Sequence, residues 1–78
     1  MATTEHLAHI AVFVRVVELG SFTAAAERLQ VSKSVVSKAV TQLERSIGAR
    51  LLNRTTRAMS LTEAGSVFYS HSARIVEE

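Results

Sequence analysis

Three residues, 30–32, separate two stretches that each read as a helix, and that short join constrains the fold more than any other feature of the chain. The first stretch, residues 23–29, contains Ala24, Ala25 and Ala26, strong helix formers small enough for another helix to approach closely. The second, residues 33–47, places Val36, Val40, Leu43 and Ile47 at 4-3-4 spacing. At 100° per residue these four fall in a stripe about 60° wide. Ser21 or Thr23 is placed to cap the first helix and Ser32 the second, and Gly48 suits the position just past the second helix. A join this short forces the two helices to meet at a sharp angle, the helix-turn-helix arrangement. Ala26 marks the crossing, and Leu29, Val31, Val36 and Ala39 are expected to fill the wedge. The glycine common in such turns is absent, because Gln30 or Val31 stands there.

The flanks complete a small domain. Residues 5–19 carry Leu7, Ile10, Val14 and Val17 on one helical face, with Thr3 or Thr4 as cap and Gly20 as stop. Residues 51–54 and 58–61 are short mixed runs around Thr55-Thr56-Arg57 and predict a two-stranded hairpin. Thr62 is placed to cap a last helix, with Glu63 in its first turn where the helix dipole favours an acid. That helix carries Ala64, Val67, Phe68, Ile75 and Val76, and its pattern is unbroken at Glu78, as expected of a fragment. With 78 residues and no Cys, the chain has a small core and no disulfide to reinforce it. Such a core supplies about 3–5 kcal/mol, so a dimer or a longer parent chain is expected. The longest apolar run is five residues, 10–14, against about 20 for a membrane span. The first residues lack the basic segment of a secretory signal. The expectation is a soluble cytoplasmic domain with no membrane partner.

Charge is segregated. Residues 28–57 hold seven Lys and Arg against one acid, Glu44, a net +6, whereas the rest of the chain is −4. Such a field attracts polyanions. On the helix of residues 33–47, Ser34, Ser37, Lys38, Thr41 and Arg45 cluster opposite the apolar stripe, and none is acidic. An exposed helix face of short donors and cations fits the major groove of B-DNA. Ser21, Thr23 and Ser32 stand at helix N-termini, where backbone N–H groups receive phosphates. Arg54 and Arg57 flank the hairpin turn beside Thr55 and Thr56, and an Arg on a thin loop suits the minor groove.

Three motifs together resemble one family. They are the run Gly20-Ser21-Phe22-Thr23-Ala24-Ala25-Ala26-Glu27-Arg28-Leu29 leading to Val31-Ser32 and Val36-Ser37, then Leu43-Glu44 with Leu51-Leu52-Asn53-Arg54-Thr55, then Leu61-Thr62-Glu63-Ala64-Gly65. The chain resembles the N-terminal DNA-binding domain of the LysR-type bacterial transcriptional regulators over nearly its whole length. The resemblance implies a mainly α fold: a winged helix-turn-helix of three helices and a two-stranded wing in residues 1–61, then a long linker helix from residue 62 that pairs two copies. It implies a C-terminal domain, absent here, through which alone a small-molecule effector acts. It implies sequence-specific binding of double-stranded DNA at an interrupted dyad, by a homodimer. Base contacts are implied for Lys33, Ser34, Ser37, Lys38 and the wing residue Arg57. Backbone contacts are implied for Ser21, Thr23, Arg54 and Thr55; Ser32 and Thr41 are added to them from their places on the helix of residues 33–47, and Ala64, Phe68 and Ile75 are the candidates for the dimer seam. The family often has Gln, Pro and Arg where this chain has Lys33, Ser34 and Lys38, and Lys lacks the bidentate fork of Arg.

Other classes fit poorly. His6 and His9 stand three apart without the further ligands a structural zinc site needs, so no metal or cofactor is expected. No serine sits in a nucleophile pattern and there is no glycine-rich phosphate loop, which argues against an enzyme. Phe13, Phe22, Phe68 and Tyr69 fall mostly on faces expected to be buried, leaving no stacking platform for RNA. The main competitor is a winged-helix module that binds another protein.

Overall fold

The computed structural model describes residues 2–54 and 59–77. In chain order these form α1 (Ala2–Leu19), α2 (Phe22–Leu29), α3 (Lys33–Ile47), β1 (Leu52–Arg54), β2 (Met59–Leu61) and α4 (Glu63–Glu77). The helix-turn-helix with a two-stranded wing and a following helix is therefore present. Among the described residues no helix is long and apolar enough to cross a membrane.

Each helix of the central pair is bounded by local chemistry. Gly20 ends α1 at φ +67°, its N–H donating to the Val16 carbonyl at 2.8 Å. Ser21 is extended, and its hydroxyl accepts from the Ala24 N–H at 3.0 Å, so Ser21 is the cap and Thr23 lies inside α2. Ser32 caps α3 in the same way, accepting from the Val35 N–H at 3.2 Å. Gly48 ends α3 at φ +82°, a left-handed value that glycine adopts without steric cost. At the other end of the chain α1 takes in Ala2, so Thr3 and Thr4 stand inside its first turn rather than before it. No breaker stops the helix there, and Ala is the best helix former.

The turn between α2 and α3 departs from expectation. Gln30 takes the left-handed conformation, φ 61° and ψ 44°, and the Val31 N–H then reaches the Ala26 carbonyl at 3.0 Å. This closes α2 with the bond pattern usually built on glycine. The same turn carries Val31 outward, 41% exposed, so it does not fill the wedge. Ala25, Ala26, Val36 and Ala39 are buried there, with Leu29 half-buried. A left-handed residue bearing a Cβ costs roughly 1–2 kcal/mol. Gln30→Gly is therefore expected to raise stability by about 0.5–1 kcal/mol, after the extra unfolded-state freedom of glycine is subtracted. Urea denaturation measures this; a loss of stability would contradict a strained turn.

The core unites Phe13, Val14 and Val16 of α1 with Ala25, Ala26, Val36, Val40, Leu43, Leu51 and Leu52. Helix α1 is covered by α2, α3 and α4, so a wide arc of it is enclosed. Its rotation brings the Phe13 ring 5.7 Å from Phe68 and 6.4 Å from Tyr69. Leu7, expected on the buried face with Ile10, Val14 and Val17, is exposed, whereas Val14 on the same side is fully buried and Ile10 and Val17 pack on the core, so its exposure follows from its place along the helix and not from the side it occupies. Ile47, expected in the α3 stripe, is the last residue of the helix and is also exposed.

Strands β1 and β2 are antiparallel, pairing Leu52 with Leu61, Asn53 with Ser60 and Arg54 with Met59. Beyond the last pair the Thr62 N–H donates to the Leu51 carbonyl at 3.0 Å. Thr62 is the expected cap: its hydroxyl accepts from the Gly65 N–H at 2.9 Å and donates to the Arg50 carbonyl at 2.6 Å. One side chain thus fastens the start of α4 to the entry of the wing.

Candidate nucleic-acid interface

Helix α3 presents Lys33, Ser34, Lys38 and Arg45 to solvent, with Ser37 and Thr41 half-buried beside them. No acid lies in this exposed set. Ser32 and Ser34 stand at the start of the helix with hydroxyls 3.4 Å apart. Ser21 and Ser32 use their hydroxyls as caps, while Thr23 is exposed near the start of α2.

The candidate residues spread along a surface instead of converging in one cleft. Lys33, Ser37 and Arg54 line a groove of about 240 Å³ with Phe22 and Met59, where α3, the start of α2 and the wing meet. Thr41 and Arg45 line a second, shallow groove with Arg50 near the end of α3. Lys38 stands beside a third, between α3 and α1, with Val35 and Gln42. Glu44 also borders the second groove and the third is mainly apolar, but the cations and hydroxyls are spread along the surface, which matches a long polyanion better than a small ligand.

Arg54 has a defined setting. Its guanidinium lies over the Phe22 ring at 4.9 Å, and its Nη2 is 3.7 Å from Oε1 of Glu44. Glu44 is buried, 8% exposed. Its Oε2 accepts from the main-chain N–H groups of Leu51 at 2.8 Å and Leu52 at 3.2 Å. Neither the burial of Glu44 nor the role of Phe22 was expected. A signal existed for the first: Glu44 is the single acid of a strongly basic stretch and adjoins the apolar stripe of α3. The wing candidates Thr55 and Arg57 lie outside the described residues. On α4, Ala64 and Ile75 are exposed, as is Val67, whereas Phe68 is half-buried against Phe13.

Comparison with known proteins agrees with this geometry. An HTH-type transcriptional regulator of Xanthomonas campestris pv. campestris (strain 8004) is 52% identical over 75 residues, which is 96% of this chain and 22% of that protein. The HTH-type transcriptional activator AaeR of Escherichia coli (strain K12) is 49% identical over 74 residues, covering 95% of this chain and 24% of AaeR. The chain thus spans under a quarter of the length of these curated relatives. The crystal structure of a BenM_DBD/catB site 1 DNA complex superposes with a TM-score of 0.86 at 35% identity, over 91% of this chain and 80% of the other. The model of the bacterial regulatory helix-turn-helix proteins of the lysR family matches residues 7–66, and the chain belongs to that family.

Proposed function

We propose that this domain binds double-stranded DNA sequence-specifically, as the reading head of a transcriptional regulator. Helix α3, residues 33–47, enters the major groove and the wing, residues 51–61, lies at the minor groove. The observation that carries this reading is the exposed, acid-free face of α3, continued by the groove that Lys33 and Ser37 share with Arg54 of the wing. Lys33, Ser34, Ser37 and Lys38 meet base edges, and Arg57 reaches the minor groove. Ser21, Thr23, Ser32, Thr41, Arg54 and Thr55 lie along the phosphates, the capped N-termini of α2 and α3 adding backbone N–H groups.

Two copies pair through α4, along a seam that includes Ala64, Phe68 and Ile75. Phe68 serves it from its place against Phe13, and the exposed side chains of Ala64 and Ile75 are covered by the partner. The two recognition helices then read an interrupted dyad. In the parent protein a small-molecule effector acts through a separate C-terminal domain. The protein works in the bacterial cytoplasm, on the nucleoid.

The test is selection of a duplex from a random pool, followed by a salt titration of the winner. A protein making six to ten phosphate contacts loses roughly 10³–10⁵ in affinity between 50 and 200 mM salt. A loss of that order, with two chains per duplex, is expected here. Weak, salt-insensitive association without a selected sequence would favour the protein-binding module instead.

A further inference from the structure

Glu44 is an acid in a surface that otherwise collects cations, and it is buried against the wing. Oε2 holds the first two main-chain N–H groups of the wing segment, at Leu51 and Leu52. Oε1 faces Arg54 at 3.7 Å. That separation is an ion pair but exceeds hydrogen-bond length. Glu44 therefore fixes the guanidinium by charge without engaging its N–H donors. Phe22 fixes the other side, its ring 4.9 Å from the guanidinium carbon. The arginine side chain is still 29% exposed, and it lines the groove of Lys33 and Ser37. Two cations and a hydroxyl around one open groove are the donor set for a single phosphate.

We infer that Glu44 is a positioning residue for DNA: it holds Arg54 on Phe22 so that the guanidinium, with Lys33 and Ser37, receives one backbone phosphate between α3 and the wing. The inference rests on the DNA-binding reading above. It makes a prediction opposite in sign to simple electrostatics. Removing an acid from a polyanion-binding surface raises its net charge and on that ground alone tightens binding. Glu44→Gln keeps a carbonyl oxygen for the Leu51 and Leu52 N–H groups but loses the charge that faces Arg54.

The experiment measures affinity for the selected duplex across a salt series, for the wild type, Glu44→Gln, Arg54→Gln and the double variant, with folding checked by circular dichroism. Glu44→Gln is expected to bind about 5- to 20-fold more weakly, and its salt slope to be shallower by about 0.9 per bound chain, the loss of one phosphate contact. In the Arg54→Gln background the same change is expected to alter affinity by less than about twofold, because coupled groups are not additive. Partial unfolding would lower apparent affinity without changing the slope. Tighter binding by Glu44→Gln, or an equal loss in both backgrounds, overturns the inference. If Glu44→Gln does not fold, Phe22→Leu replaces it: it removes the ring beneath the guanidinium, and the same shallower slope is expected, an unchanged slope being the overturning result. A wild-type domain without salt-dependent affinity for any duplex overturns the DNA-binding reading itself, a result distinct from all of these.

Discussion

Replacing Gly65 with alanine is expected to destabilise the domain by about 3 kcal/mol, at the upper end of what overpacking usually costs. Gly65 is buried near the start of α4. A Cβ built there falls on the Leu51 carbonyl oxygen and within 2.8 Å of the Leu51 carbonyl carbon. The obstacle is main chain, so no side-chain rotation relieves it. Nor is Leu51 free to retreat. Its carbonyl accepts the Thr62 N–H, its own N–H is held by Glu44, and its side chain is fully buried. Helix propensity alone gives the opposite sign, since Gly→Ala in a helix interior gains about 0.8–1 kcal/mol. Urea denaturation separates the two accounts, and a stabilised Gly65→Ala would show that α4 does not approach Leu51 this closely. Gly20→Ala is the control: nothing lies within 4 Å of its built Cβ, and only the left-handed backbone opposes it.

Lys38→Ala is expected to leave the fold within about 0.5 kcal/mol of wild type, as for most exposed positions. Its effect falls on selectivity. Lys38 stands on the exposed face of α3, four residues beyond Ser34 and so one turn along the same side. In the major groove an ammonium donates to guanine O6 and N7. Losing that contact costs on the order of 1–3 kcal/mol at one base position, against a uniform loss if Lys38 only meets a phosphate. Selection from a randomised site distinguishes the two. Undiminished preference at every position would remove Lys38 from the base-reading set.

Much of this architecture follows from residues whose physical role is local. Ser21, Ser32 and Thr62 cap because a short hydroxyl reaches an N–H three residues on. The stripe of Val36, Val40 and Leu43 is set by helical period alone. Other features depend on what the chain meets in three dimensions. The burial of Phe13 depends on its packing against Phe68 of α4, far along the chain. Gln30 carries a turn that its residue type does not announce. The burial of Glu44 depends on the wing folding over it, and the need for glycine at position 65 depends on Leu51 lying against it, contacts made only in the folded chain. Within the site, the α3 face was legible from charge and spacing. The setting of Arg54 was not, because Phe22 and Glu44 converge on it from two different helices.

The three fastenings at Leu51 have a mechanical consequence. One residue ties α3 to α4, through its N–H to Glu44, its carbonyl to Thr62 and its close approach to Gly65. No swivel separates the two helices at that joint. On the reading proposed above, a rotation of α4 is passed toward α3 through this joint. If two copies pair through α4 as proposed, this joint helps to set the pitch and spacing of the two α3 helices before any DNA arrives. Under the proposed pairing, a complex with two half-sites would forgo less orientational freedom on closing, and the spacing of the half-sites would be read by geometry as well as by chemistry.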